Sequence, residues 1–301
     1  MRRVLVALPF VLAAVAWWLT APQPLDDAAI PEHVPDPVAG ERLFWAGGCA
    51  SCHASPVDGR RARGLAKVRL GGGDELDTPF GLFRVPNISP HPDDGIGNWT
   101  ALQFVNAMQR GIAPDGRHYY PSFPYASYVR MPVEELIDLK AYLDTLPAVE
   151  GRIDGHELAF PWNVRRAIGF WKRLYLDAEP VIDTSAADLL VQRGQALVEG
   201  AGHCGECHTP RNLLGGMDSS RWLAGGPSPE GDGKVPDITP GGRSIADWTA
   251  SDIAYYLQSG FTPDFDSVGG AMVPVQESMA KLPEEDWHAI AAYLKFIPAS
   301  E

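Results

Sequence analysis

The chain has 301 residues, of which 45% are hydrophobic and 21% are charged. This composition is typical of a globular protein with a buried core and excludes a largely disordered chain. The formal net charge of −13 disfavours binding to nucleic acid or anionic lipid and favours protein partners with basic patches. At roughly 100–200 residues per domain, the length allows about two domains.

The N-terminus carries two basic residues ahead of an apolar run. Arg2 and Arg3 precede an uncharged stretch of about 17 residues, the length of the shortest membrane spans. A basic start followed by an apolar stretch is typical of an export signal. Trp17 and Trp18 stand where an interfacial aromatic belt would lie, which favours an uncleaved anchor. We therefore predict that residues 1–22 are a signal peptide or an inner-membrane anchor helix and that the remainder lies in the periplasm.

All four cysteines fall in two Cys-x-x-Cys pairs, and a histidine directly follows each pair. The segments are Cys49-Ala-Ser-Cys52-His53 and Cys204-Gly-Glu-Cys207-His208. This is the signature of haem c attachment: two thiols bond to the vinyl groups of one porphyrin edge, and the histidine binds the iron. Structural disulfides or a Cys₄ zinc site would leave both histidines unexplained, and a thioredoxin-like motif would appear once, in a strand–helix context. The sequence predicts two covalently bound haem c groups.

The two motifs begin two copies of one pattern, about 150 residues apart. The matching strings are Leu70-Gly-Gly-Gly73 with Leu223-Ala-Gly-Gly226, and Val85-Pro-Asn87 with Val235-Pro-Asp237. Each copy has a helix before its Cys pair, a Trp-led helix of about ten residues that stops at glycine, and a last helix that starts at proline. We expect these helices over Pro37–Gly47, Trp99–Gly111 and Pro132–Leu146, and over Ala186–Gly200, Trp248–Gly260 and Pro283–Ile297.

These elements predict an all-α fold of two tandem cytochrome c domains related by internal duplication, after an N-terminal signal or anchor helix. The domains are expected over residues 36–147 and 185–300. The segment 148–184 belongs to neither copy and alternates aromatic with basic residues. Its aromatic side chains either pack on the two domains as a linker or form a docking or membrane-surface segment.

For the second haem, the sequence favours Met272 as the sixth iron ligand. A loop that leaves the Trp-led helix and crosses the haem before the last helix is where such a methionine belongs, and Met272 lies 11 residues before Pro283. Met279 is the competing candidate and is equally suited to the core.

For the first haem, the position that matches Met272 is Phe123, which cannot bind iron. Met131, just before the last helix, is the favoured ligand, and His118 or an open site remains an alternative. Met108 is assigned to the core. His203, ahead of the second Cys pair, is expected to face solvent.

The sequence resembles the c-type cytochrome subunits of membrane-associated periplasmic dehydrogenases for alcohol, aldehyde and gluconate. The resemblance covers nearly all of residues 36–300. It is carried by Phe80-Gly-Leu-Phe-Arg-Val-Pro-Asn-Ile-Ser-Pro90, Asp94-Gly-Ile-Gly-Asn-Trp99, Tyr120-Pro-Ser-Phe-Pro-Tyr125 and His203-Cys-Gly-Glu-Cys-His-Thr-Pro-Arg211. Members of this group commonly carry three haems, whereas this chain has two motifs. Some members have methionine at the position of Phe123, and others with phenylalanine there have methionine at the position of Met131.

The resemblance implies electron transfer from a partner dehydrogenase to a quinone, an oxidase or another cytochrome in a respiratory chain. The chain is then an electron-transfer protein and not itself an enzyme. The alternative is a di-haem peroxidase, which needs one haem with an open or displaceable site and acid–base groups nearby. A methionine available in both copies favours the carrier.

Overall fold

Short helices joined by long loops make up most of the chain, in a computed structural model that describes residues 2–228 and 233–300, with side chains from residue 9. The α-helices of the described residues are α1 (Arg2–Leu19), α2 (Pro37–Ala46), α3 (Cys49–His53), α4 (Ala101–Arg110), α5 (Tyr125–Tyr128), α6 (Val133–Thr145), α7 (Ile168–Tyr175), α8 (Leu189–Gln195), α9 (Gly205–His208), α10 (Ala250–Ser259), α11 (Met272–Met279) and α12 (Glu284–Phe296). A π-helical turn, Ala196–Ala201, continues α8. Below, "first half" means residues 36–147 and "second half" means residues 185–300.

The Trp-led helices are confirmed, and each begins two residues after its tryptophan. Thr100 caps α4 by accepting a hydrogen bond from the Gln103 amide, while the Gln103 side chain accepts one from the Thr100 amide. Thr249 and Asp252 form the same capping box on α10. Such a box satisfies amide groups that the first helical turn leaves unpaired. A glycine in the left-handed region ends each helix, as at Gly111 with φ +56°.

The helix before each Cys pair crosses the last helix of its half at a glycine. A Cβ atom on Gly40 would lie 2.0 Å from the Asp138 carbonyl oxygen, and one on Gly194 would lie 2.0 Å from the Ala289 carbonyl oxygen. No other residue allows the two backbones to approach so closely. The predicted last helices are confirmed as α6 and α12.

One hydrophobic cluster runs through both halves. It joins buried side chains of α2 and α6, such as Phe44 and Leu136, to those of the second half, such as Leu197 and Ile290. Burial of apolar surface is the main favourable contribution to folding. The two halves therefore share a core.

A buried charge cluster joins the halves at the start of α12. Asp286 is 0% exposed and accepts hydrogen bonds from Arg42 of α2, at 2.5 Å from Nε and 2.6 Å from Nη2. Arg193 of α8 donates to the same carboxylate at 3.0 Å and lies 3.5 Å from Glu135 of α6. Four elements thus meet around one fully buried carboxylate.

The loops contain two small antiparallel sheets. The strands are β1 (Glu75–Thr78), β2 (Gly81–Arg84), β3 (Glu157–Leu158), β4 (Gly226–Pro227) and β5 (Lys234–Val235). β1 and β2 form a hairpin with Glu75 opposite Arg84, β3 adds to β2, and β4 pairs with β5. Exposure alternates along β1 with the period of two that is typical of a strand. With 8% strand beside 43% helix, the predicted all-α class is wrong as stated.

The N-terminal expectation also needs correction. Among the described residues, the structure contains no helix with the length and apolarity that a membrane crossing requires. α1 has 18 residues, with Arg2 and Arg3 in its first turn and Pro9 inside it. The anchor helix included in the predicted fold class is therefore wrong as stated.

The segment 148–184 packs against several parts of the chain. Trp171 of α7 contacts Tyr125 edge-on, with ring centroids 6.0 Å apart, and its Nε1 donates to the Leu214 carbonyl at 2.9 Å. Arg166 and Arg173 donate to backbone carbonyls at the C-terminal end of α1, where a helix leaves such groups unpaired. The segment thus contacts both halves and the end of α1.

Replacing Asp286 by asparagine tests the buried charge cluster. The amide keeps the size of the side chain but leaves Arg42 and Arg193 without their anion. We expect the free energy of unfolding to fall by about 3 kcal/mol, measured by urea denaturation. Glu284→Gln is the control, because Glu284 is exposed in the same helical turn, and it should change stability by less than about 0.5 kcal/mol. Equal effects in the two variants would contradict the role of the cluster.

Candidate functional site

Each Cys-x-x-Cys-His segment folds as one short helical turn. In both motifs the first cysteine and the histidine are partly buried and the second cysteine is exposed. Side chains three residues apart lie on the same face of a helix, so Cys49 and Cys52 face one side of α3. Cys204 and Cys207 have the same arrangement at α9. Each turn therefore presents two thiols on one face.

Each motif histidine is fixed by a backbone carbonyl. The Nδ1 atom of His53 lies 2.8 Å from the Pro86 carbonyl oxygen, and that of His208 lies 2.8 Å from the Pro236 carbonyl oxygen. Because a carbonyl only accepts hydrogen bonds, Nδ1 must carry the proton and Nε2 keeps its lone pair. Burial lowers the pKa of both imidazoles and favours the neutral form. This is the tautomer that an iron ligand requires.

The thiols fit thioether bonds better than a zinc site. Burial raises the pKa of the Cys49 and Cys204 thiols to about 12, so both thiols are neutral at pH 7. A thioether carries no charge, and its burial is not opposed by desolvation. Across residues 2–228 and 233–300, no group of three or more His, Cys, Asp or Glu side chains could hold a metal ion. Two thiols and one neutral imidazole per turn fit haem c.

A glycine holds the loop that carries each proline carbonyl. Gly72 donates from its amide to the His53 carbonyl at 2.9 Å, and Gly225 donates to the His208 carbonyl at 2.7 Å. Both are left-handed, with φ +69° and +70°. A Cβ on Gly72 would lie 2.5 Å from the Val85 carbonyl oxygen. The repeated Leu-x-Gly and Val-Pro-Asx strings therefore have one common role, which is to orient the histidine.

The methionine candidates lie in different surroundings. Met131 is 3% exposed, and its Cγ lies 3.3 Å from the position that a Cβ on Gly200 of the second half would take. Met272 begins α11, where a loop was expected, and is only partly buried. Met279 is 3% exposed within the core cluster. The ligand assignments to Met131 and Met272 stay predictions.

His118, the alternative ligand in the first half, has both ring nitrogens in protein contacts. Its Nε2 lies 2.9 Å from the Thr20 carbonyl oxygen, and Lys172 of α7 donates to its Nδ1 at 3.1 Å. Lys172 also donates to the carbonyls of Arg110 and Gly111 at the end of α4. His118 therefore orders the junction of three segments and has no nitrogen left for iron. Met108 is buried in the core, as expected.

The sequence did not predict a set of contacts that join each attachment turn to the other half. His203 was expected to face solvent, but it is partly buried and its Nε2 lies 3.2 Å from the Gly47 carbonyl oxygen. Ser51 contacts Ser278, and Ser127 donates to Glu206. Ser51 and Glu206 stand at matching positions of the two motifs, which was the one signal that could have pointed to them.

Comparison with known proteins agrees with this geometry. Residues 37–147 match the cytochrome c family. Over the whole of both chains, the sequence is 51% identical to "Diheme cytochrome c-type" of Cereibacter sphaeroides. It is 34% identical to the fructose dehydrogenase cytochrome subunit of Gluconobacter japonicus, over 92% of this chain and 56% of that one. It is 32% identical to the cytochrome c subunit of the quinone-dependent alcohol dehydrogenase of Gluconobacter oxydans, over 96% of this chain and 59% of that one. The chain thus spans a little over half the length of these two dehydrogenase subunits.

The glycine that fixes the first histidine can be tested against a matched glycine. Gly72 and Gly59 both have φ +69°, but a Cβ on Gly59 would meet nothing within 4 Å. Gly59→Ala should therefore cost only the left-handed strain, about 1–2 kcal/mol. Gly72→Ala should cost more and reduce haem attachment at the first motif, because the added methyl group displaces the loop of Pro86. Urea denaturation and intact mass measure the two effects, and equal losses in both variants would show that strain alone matters.

The buried lysine predicts a pH dependence of stability. Burial lowers the pKa of Lys172 from 10.5 to about 7. Between these values the unfolded chain binds more protons than the folded chain, so the free energy of unfolding should rise with pH from about 7 to 10. Below pH 7 both states are protonated and this contribution is constant. Lys172→Met should show a smaller rise in its urea midpoint over that range, and an unchanged slope would contradict the assignment.

Proposed function

This chain belongs to the family of di-haem c-type cytochromes, and on that premise we propose that it passes electrons from a partner dehydrogenase to a downstream acceptor. It carries two covalently bound haem c groups and is an electron-transfer cytochrome. When bound, each haem supplies an iron that exchanges one electron between its ferrous and ferric states. The chain contributes the attachment, the orientation and the burial of that group.

The observation that carries the proposal is the same donor set at two turns. Cys49, Cys52 and His53 would hold the first haem, and the three residues of the second motif would hold the other. The hydrogen bond from each histidine to a proline carbonyl keeps the imidazole in one orientation. A fixed ligand lowers the rearrangement that accompanies electron exchange, which suits a carrier.

For the sixth ligands we propose Met131 at the first haem and Met272 at the second. Methionine opposite histidine raises the reduction potential of a haem, as expected for an electron carrier. The engagement of both nitrogens of His118 supports Met131. The place of Met272, 11 residues before Pro283 and so ahead of the last helix, supports Met272.

The same contact of His118 disfavours the peroxidase alternative. A peroxidase needs an acid–base group beside an accessible haem face, and the imidazole of His118 is not free for that role. Its nitrogens are bonded to Thr20 and Lys172 instead. The chain itself is then not the enzyme of the pathway, and the partner performs the substrate chemistry.

The proposed donor is a periplasmic dehydrogenase subunit, and the proposed acceptor is a cytochrome, an oxidase or a quinone. The names of the dehydrogenase relatives support the donor. The net charge of −13 supports docking to basic patches on a partner. The basic and apolar start of the chain supports export to the periplasm.

We further propose that residues 36–147 and 185–300 are duplicated cytochrome c domains, with 148–184 between them. The matched glycine crossings at Gly40 and Gly194 support this, as do the matched histidine–carbonyl bonds. The pairing of β3 with β2 and the contact of Trp171 with Tyr125 support an intervening segment that packs as part of the folded chain.

The function is tested on the purified holoprotein. Potentiometric titration should show two one-electron steps, and electron paramagnetic resonance should show two low-spin haems. The protein should not turn over hydrogen peroxide. One high-spin haem together with peroxide turnover would overturn the carrier proposal in favour of the peroxidase.

The ligand assignment is tested by Met272→Ala. Loss of the thioether should lower the reduction potential of one haem and remove about half of the far-red methionine–iron absorption band, since methionine raises the potential. Met279→Ala is the matched control, because that methionine lies in the core, and it should lower stability without removing the band. If the band is unchanged in Met272→Ala and halved in Met279→Ala, the assignment is reversed.

A further inference from the structure

The two attachment turns are in direct contact through His203. This residue immediately precedes Cys204, and its Nε2 lies 3.2 Å from the carbonyl oxygen of Gly47, two residues before Cys49. Since the carbonyl accepts, Nε2 carries the proton. The imidazole also meets the Tyr128 ring edge-on, with centroids 5.7 Å apart. One side chain therefore connects the beginnings of both motifs.

The backbone of His203 is held in a sparsely populated conformation. Its φ of +39° is left-handed, which is uncommon for residues other than glycine. Such strain persists only where the surrounding structure enforces it, and it is concentrated at functional sites. In this conformation the imidazole contacts Gly47 and Tyr128.

Further contacts join each turn to the opposite half, two at the first turn and one at the second. Ser51 of the first motif donates to the Pro274 carbonyl at 3.0 Å and lies 3.1 Å from Ser278 of α11. In the other direction, Ser127 of α5 donates to Glu206 of the second motif at 2.8 Å. Ser51 and Glu206 occupy the same position in their Cys-x-x-Cys-His segments. The contacts are therefore reciprocal.

The polar groups in these contacts are buried, so the loss of a partner would be costly. Ser127 and Ser278 are 0% exposed and Glu206 is 9% exposed, and Arg211 neutralises the Glu206 carboxylate. A buried polar group that loses its partner pays the full cost of desolvation. Sliding of one turn against the other would break several such bonds at once. These contacts form a junction between the two halves, made by His203, Ser51, Ser278, Ser127 and Glu206.

We propose that His203 is a positioning residue that holds the two attachment turns together for electron exchange between the haems inside one chain. The proposal rests on the proposed carrier function and adds the contact that fixes the internal path. The step moves one electron from the ferrous iron of one site to the ferric iron of the other, without a proton or another reactant. Because each haem is bonded to its turn, the spacing of the turns sets the spacing of the two groups.

His203→Ala in the full-length holoprotein tests the proposal. After rapid injection of one electron by pulse radiolysis, the wild type should show a fast, concentration-independent phase as the two haems equilibrate. That phase should be slowed or lost in His203→Ala. His288→Ala is the matched control, because His288 lies on α12 and forms its ion pair with Glu284 of the same helix, and its fast phase should match the wild type.

Two more variants separate positioning from strain and from misfolding. Asparagine tolerates the left-handed region but lacks the reach of the imidazole, so His203→Asn should also lose the fast phase. Ser278→Ala removes one reciprocal contact without changing a residue next to a cysteine and should slow the phase. Intact mass and the methionine–iron band confirm that both haems remain attached and ligated in each variant.

The outcomes distinguish this inference from the proposed function. If both haems are reduced in the wild type and equilibrate equally fast in His203→Ala and Ser278→Ala, the junction is not the determinant and the inference is overturned. If His203→Asn retains the fast phase that His203→Ala loses, the backbone strain of alanine in the left-handed region and not the loss of the contact is responsible, which also overturns it. If the wild type has a high-spin haem that turns over peroxide, the carrier function itself fails.

Discussion

The hydrogen bond from each motif histidine to a proline carbonyl is the interaction on which the rest of the structure depends. It sets the protonated nitrogen of His53 and His208 and so decides which nitrogen is free for iron. To place that carbonyl, the chain folds back after each Cys pair. Gly72 and Gly225 both lie in the left-handed region. Their amides donate to the backbone carbonyls of His53 and His208. The two halves solve this problem in the same way, although their loops differ in length and sequence.

Three kinds of contact hold the two halves together, namely an apolar cluster, a buried charge cluster and the contacts around His203. A continuous apolar cluster supplies the bulk of the burial. Asp286 with its two arginines fixes the relative placement of the helices around it, because an unpaired charge there would be costly. The junction around His203 then sets the spacing of the attachment turns. The protein is acidic overall, and the buried carboxylate of Asp286 is nevertheless tolerated because Arg42 and Arg193 donate hydrogen bonds to it.

The segment between the halves shows how tertiary contacts override a local interpretation. Its aromatic and basic residues were consistent with either a linker or a docking surface. In the structure, Trp171 and Lys172 face inward, onto Tyr125 and the end of α4, and Arg166 and Arg173 meet the end of α1. Lys172 also bonds the one histidine of the first half that competed for the iron. The segment thus packs against both halves and the end of α1.

The sequence by itself determined the two attachment turns, the histidine ligand candidates and the helices α4, α6, α10 and α12. The reason is that spacing, capping residues and terminal glycines are local signals. It did not determine the addition of β3 to β2, and it could not resolve His118. Those features depend on which distant segment supplies a partner, as Thr20 and Lys172 do for His118. The contact between the turns was likewise decided by tertiary structure alone, because the carbonyl that His203 meets lies 156 residues away along the chain.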